Sequence, residues 1–120
     1  MAQLDFIYQS VVLMDGSNET PEVNLKGNTL MGFIFPAGFE GATITLKARL
    51  KRDFSTGGYT GPYAVTDPTT GSAVTINTGG GGTLVPITPS DLTALQYFTI
   101  VSASAATEDR EIIVIARPTA

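Results

Sequence analysis

The chain has 120 residues, 42% of them hydrophobic and 15% charged, and a formal net charge of −4. That length fits one domain, residues 1–120, with a core large enough to need no disulfide or metal, and the composition excludes a disordered chain. It contains no Cys and no His, which removes thiolate chemistry, disulfides, the commonest general base and the commonest zinc ligand, while the mild acidity argues against an electrostatic nucleic-acid binder.

At the N-terminus no basic region precedes a long apolar run, and no apolar run approaches about 18 residues. The expectation is a soluble protein made in a cytoplasm, with no secretion signal and no membrane partner. Residues 4–8 and 10–14 are short apolar runs, read as one strand or two joined by a bend. Residues 15–21 carry turn chemistry throughout. Residues 22–25 read as a short strand with Val23 and Leu25 inward. Residues 29–35 form a dense apolar strand, expected to be buried on both faces, with Gly32 marking a bulge or close packing.

The clearest segment is Thr43-Ile44-Thr45-Leu46-Lys47-Ala48-Arg49-Leu50-Lys51. Ile44, Leu46, Ala48 and Leu50 fall on one face at a period of two, and the threonines and bases fall on the other. Such alternation is a strand with one buried and one wet face. Residues 54–62 read as a Gly-rich loop. Residues 63–66 and 72–77 flank a Pro/Gly turn and read as a hairpin. Residues 79–82 are four glycines, read as a mobile loop. Residues 83–87 resemble an edge strand because Pro86 cannot donate to a ladder. Thr88 or Ser90 caps a single expected helical turn, with Asp91 in its first turn. Residues 97–102 and 111–117 are the last strands, the latter an almost continuous apolar run of the kind a central strand carries.

The expected fold is therefore all-β, an antiparallel jelly-roll-like sandwich of about eight to nine short strands. The expected core includes Phe33, Ile44, Leu46, Leu50, Val74, Ile100, Ile113 and Ile115.

Chemistry-bearing motifs are weak. The tetraglycine lacks the Gly-Lys-Ser/Thr of a phosphate loop. Asp15-Gly16-Ser17-Asn18-Glu19 gathers oxygens, but without calcium-loop spacing, so a plain turn is the reading. No Ser sits in a Gly-x-Ser-x-Gly setting. The expectation is a protein with no enzymatic activity, no cofactor and no metal.

Three stretches carry a resemblance. The first is Pro21-Glu22-Val23-Asn24-Leu25-Lys26-Gly27-Asn28-Thr29-Leu30-Met31-Gly32-Phe33 with Ala42-Thr43-Ile44-Thr45-Leu46-Lys47-Ala48. The second is Tyr63-Ala64-Val65-Thr66-Asp67 through Val74-Thr75-Ile76. The third is Val85-Pro86-Ile87-Thr88-Pro89-Ser90-Asp91-Leu92 with Ile112-Ile113-Val114-Ile115-Ala116-Arg117-Pro118. In this order they resemble the small jelly-roll cement, or decoration, proteins of tailed bacteriophages. The resemblance implies a virion protein on the capsid surface that binds the major capsid protein and bridges its subunits. It also implies a closed homo-oligomer, a dimer being favoured. A carbohydrate-binding or adhesin module of a tail or head fibre is the alternative.

Under that resemblance Lys47, Arg49, Lys51 and Arg52, with the aromatic residues Phe54 and Tyr59 on the following loop, are the candidate partner-binding residues. An Arg can pair with a carboxylate in two-pronged fashion, and an aromatic ring can anchor it. Two other readings stand beside this one. The bases can simply keep an exposed strand face soluble and discourage edge pairing. The contacts can instead come from the apolar termini, residues 4–8 or 119–120.

Overall fold

The computed structural model describes residues 5–50, 60–67, 69–87 and 95–118. Its strands are β1 (Ile7–Leu13), β2 (Val23–Asn24), β3 (Thr29–Phe35), β4 (Thr43–Leu50), β5 (Thr60–Ala64), β6 (Ile76–Asn77), β7 (Thr83–Pro86), β8 (Tyr97–Ser102) and β9 (Arg110–Arg117). They form two antiparallel sheets. The first has the order β1-β9-β3-β7; the second has the order β2-β8-β4-β5, with β6 also paired to β4. The chain passes from one sheet to the other between β1 and β2, β2 and β3, β3 and β4, β6 and β7, β7 and β8, and β8 and β9. That is jelly-roll connectivity, in which neighbours within each sheet come from distant parts of the sequence.

The inner faces make the core. Ile44 and Leu46 of β4 pair with Ser102 and Ile100 of β8, and Ala48 pairs with Phe98. Leu30 and Phe33 of β3 lie opposite Ala116 and Val114 of β9. Phe33 meets Phe98 edge-on across the two sheets, with ring centroids 6.3 Å apart, and Phe35 lies 5.1 Å from Phe39. Offset and tilted ring pairs of this kind add to the area they bury. Leu25, Phe39, Leu95 and Ala106 close the core from the loops.

Glycine matters where backbones approach. A Cβ on Gly81 would lie 2.5 Å from the Pro36 carbonyl oxygen, and Gly81 has φ of 89°. The four glycines of residues 79–82 all have positive φ, and Gly81 donates to the Thr78 carbonyl. The segment expected to be a loose loop is a turn fitted against the 36–39 loop. Likewise Gly32 sits where a Cβ would meet the Val85 carbonyl at 2.7 Å, and the β3–β9 register shifts between Leu30 and Gly32. The bulge expected there is present.

Several expectations need correction. Thr60, Gly61 and Pro62 belong to β5, where a loop was expected; β5 is an edge strand, so Pro62 interrupts no ladder on its open side. The expected hairpin is present next to its turn, where Thr66 bridges Ala73, the Val74 amide donates to the Val65 carbonyl and the Asp67 amide to the Ser72 carbonyl; farther out Ile76 pairs instead with Ile44. Val74 and Ile113 are half-buried. Ile112, Val114 and Ala116 face the core, so Ile113 points to the outer face of the first sheet; Ile115 shares that side of the strand but is buried, as expected. β3 has no exposed position: its inner residues and Gly32 are buried, and Thr29, Met31 and Ile34 are half-buried. The expected helical turn near Ser90 and Asp91, and the side chain of Leu50, lie outside the described residues. Among the described residues there is no helix.

Candidate functional site

The two sheets present two outer faces, and their chemistry differs. On the second sheet Thr43, Thr45, Lys47 and Arg49 of β4 point outward, beside Val101, Thr99 and Tyr97 of β8. The short β2 lies on the far side of β8, and it brings Glu22 to this face. A bridge between Glu19 and Val101 brings Glu19 there too. Arg49 grips Glu22 with two bonds, Nε to Oε2 at 2.5 Å and Nη2 to Oε1 at 2.8 Å. Lys47 Nζ lies 3.4 Å from both carboxylate oxygens of Glu19. The Arg49 hydrogen bond holds the Glu22 carboxyl below its ordinary value; partial burial opposes this, and the Arg49 charge reinforces it.

This arrangement bears on the residues singled out from the sequence. Lys47 and Arg49 are brought together on one wet face, but each already faces an acid of the same chain. A partner carboxylate would have to compete with Glu19 and Glu22. Lys51, Arg52, Phe54 and Tyr59 lie outside the described residues.

The outer face of the first sheet is apolar. One row across it reads Tyr8, Ile115, Gly32 and Pro86; the next reads Ser10, Ile113, Ile34 and Leu84. Val12 extends it beside Glu111. Tyr8 is 61% exposed and Leu84 60%, and exposed Phe6 and Met14 flank β1 at its two ends. Ile115, at 7% exposure, is the floor of this surface. The only charges that β9 sends outward are Glu111 at its start and Arg117 at its end. Four strands about 4.8 Å apart, and six residues at about 3.3 Å each, give a face of roughly 400 Å². The largest apolar patch on a monomer is commonly of this order and is often functional. Sequence reasoning touched one edge of this face, through the apolar residues 4–8 offered as the alternative contact, and missed the rest because an apolar run such as residues 112–116 reads as buried on both sides. The available signal was the pairing of Phe6 and Tyr8 with Leu84 as apolar residues at edge strands.

A third cluster closes one end of the sandwich. Glu40 accepts from Arg110 Nε at 2.7 Å and from the Thr107 amide at 3.2 Å, while Arg110 Nη1 also donates to Glu108 at 2.8 Å. The bond from Arg110 is the main cause that lowers the Glu40 carboxyl below its ordinary value. Asp109 Oδ1 accepts from the Asp15 amide at 2.9 Å, and the Gly16 amide donates to the Ala106 carbonyl. These bonds tie two loops together. Among the described residues no group of three or more His, Cys, Asp or Glu is placed to hold a metal ion, and no helix is long and apolar enough to cross a membrane. No protein-family model, no curated protein and no solved structure matches the chain.

Proposed function

We propose that this chain is a structural assembly protein of the capsid-decoration kind, which binds the outside of a bacteriophage head and reinforces contacts between major capsid subunits. The observation that carries the reading is the apolar outer face of the β1-β9-β3-β7 sheet, with Tyr8 and Leu84 open at its two edges. A soluble β-sandwich that leaves such a face bare invites non-specific association, so the face belongs to an interface in the working state. The jelly-roll order of the strands agrees with the sequence resemblance, although a fold shared by many functions adds little by itself. Apart from Tyr8 and Ser10, the face offers aliphatic side chains such as Ile34, Ile113 and Leu84 and few groups to sugar hydroxyls, which weighs against the glycan-binding alternative.

The test uses purified protein added to expanded empty heads of the phage that encodes it. Wild-type protein is expected to bind in hundreds of copies and to raise the temperature at which the heads disrupt. The variant Tyr8→Ser with Leu84→Ser, both exposed and so expected to fold, is expected to bind at least tenfold more weakly. Unchanged binding by that variant, or a virion count of only a handful of copies, would overturn the reading.

A further inference from the structure

We infer that the outer face of the first sheet is covered by the same face of a second copy, with the two β9 strands antiparallel across a two-fold axis. The inference rests on reading that face as a docking surface, and it names the first occupant.

The argument is charge placed on an otherwise apolar surface. Along β9 the outward positions read Glu111, Ile113, Ile115, Arg117. Six residues of strand separate the acid from the base by about 20 Å. Among the described residues neither side chain has an ion-pair partner. The other outward-reaching cations of the strands, Lys47 and Arg49, are both paired. A two-fold axis lying in the plane of the face and perpendicular to β9 reverses one strand on the other. Glu111 of each copy then meets Arg117 of its mate, and Ile113 and Ile115 stack between them. The parallel arrangement would set Glu111 on Glu111 and Arg117 on Arg117, which like-charge repulsion disfavours.

The ends of the molecule agree. Among the described residues, Asp15, Glu108 and Asp109 lie in the loops at the Glu111 end, and Lys26 lies in the turn at the Arg117 end, where Asp5 also lies. An isologous contact needs such a self-complementary patch. Two sheets packed face to face lie about 10 Å apart with strands within about 30° of alignment, a gap that Arg and Glu side chains span. The face of roughly 400 Å² per copy is smaller than the about 800 Å² of a standard interface, so a weak, concentration-dependent dimer is expected.

Sedimentation equilibrium of the full chain without heads tests this. At on the order of 100 µM the wild type is expected to approach twice the protomer mass. Leu84→Asp and, on the opposite edge strand, Tyr8→Asp are each expected to stay at the protomer mass while melting as the wild type does. Glu111→Arg alone and Arg117→Glu alone are each expected to weaken association roughly tenfold. Combining them is expected to restore it, because the pair is reversed and not removed. A wild type that remains a protomer, or a dimer indifferent to Leu84→Asp and Tyr8→Asp, overturns the proposal. A double reversal that fails to restore association overturns the antiparallel register. If the wild type stays a protomer while the Tyr8→Ser, Leu84→Ser variant loses head binding, the second copy is ruled out and the face meets the shell directly.

Discussion

On the second sheet, Lys47 and Arg49 stand on the outer face and are answered by Glu19 and Glu22. On the first, the outer face carries Tyr8, Ile34, Leu84, Ile113 and Ile115, with one charge at either end of β9 that has no ion-pair partner among the described residues. The inner faces are alike, both built of Leu, Ile, Val and Phe. The difference teaches where to look for a partner. A face whose charges are satisfied internally is complete in water. A face of half-buried aliphatic side chains gains free energy when another surface covers it, at about 25 cal/mol per Å² of apolar area removed from water.

The largest expected effect sets the scale for an inner face. Leu46→Ala removes a fully buried side chain and is expected to cost about 2–5 kcal/mol in a denaturant titration. A loss below about 1 kcal/mol would mean that the core is not where the strand register puts it.

On the outer face of the first sheet, Ile115→Ala is expected to cost about 2 kcal/mol in the isolated protein, since the side chain is buried but its outer side meets solvent. Measured in the assembled state the cost is expected to grow. Equal losses in both states would remove the contrast between the faces.

On the second sheet, Arg49→Leu is expected to cost at most about 1 kcal/mol, because the pair with Glu22 is partly exposed and is screened by water and salt. The same pair and the Glu40–Arg110 pair make a pH prediction. Both carboxyls lie below their ordinary values when folded. Their contribution is therefore fully present above the unfolded carboxylate value and is lost as pH falls through the lower folded values. Melting temperature is expected to fall with acidification below about pH 4.3, and Glu40→Gln is expected to flatten that fall. An unchanged acid limb in Glu40→Gln would show that Glu40 and Arg110 do not pair in solution.

The smallest expected effect is none. Chelator is expected to leave the melting temperature unmoved, and a drop of several degrees would point to an ion at the Asp15–Asp109 junction.

Alternation along Thr43–Leu50, the Pro86 that marks an edge strand, the limits of β3 and β8 and the bulge at Gly32 were all legible in the sequence. Each depends on a local property: side-chain period, a missing amide donor or the absence of a Cβ. The candidate contact was less legible. Lys47 and Arg49 read as a basic patch because their counterparts, Glu19 and Glu22, lie 28 and 27 residues earlier in the chain.

The sequence by itself determined that the chain is all-β, that its strands alternate or run apolar, and that no Cys or His chemistry is present. Only the tertiary structure decided which side of each apolar run is inner. Ile112-Ile113-Val114-Ile115-Ala116 has no polar position to orient it. Its facing is set by Leu30 and Phe33, to which β9 pairs across a long stretch of sequence. In a jelly roll almost every strand neighbour is non-local, so the surfaces that could bind a partner arise from pairings that no short window of residues contains.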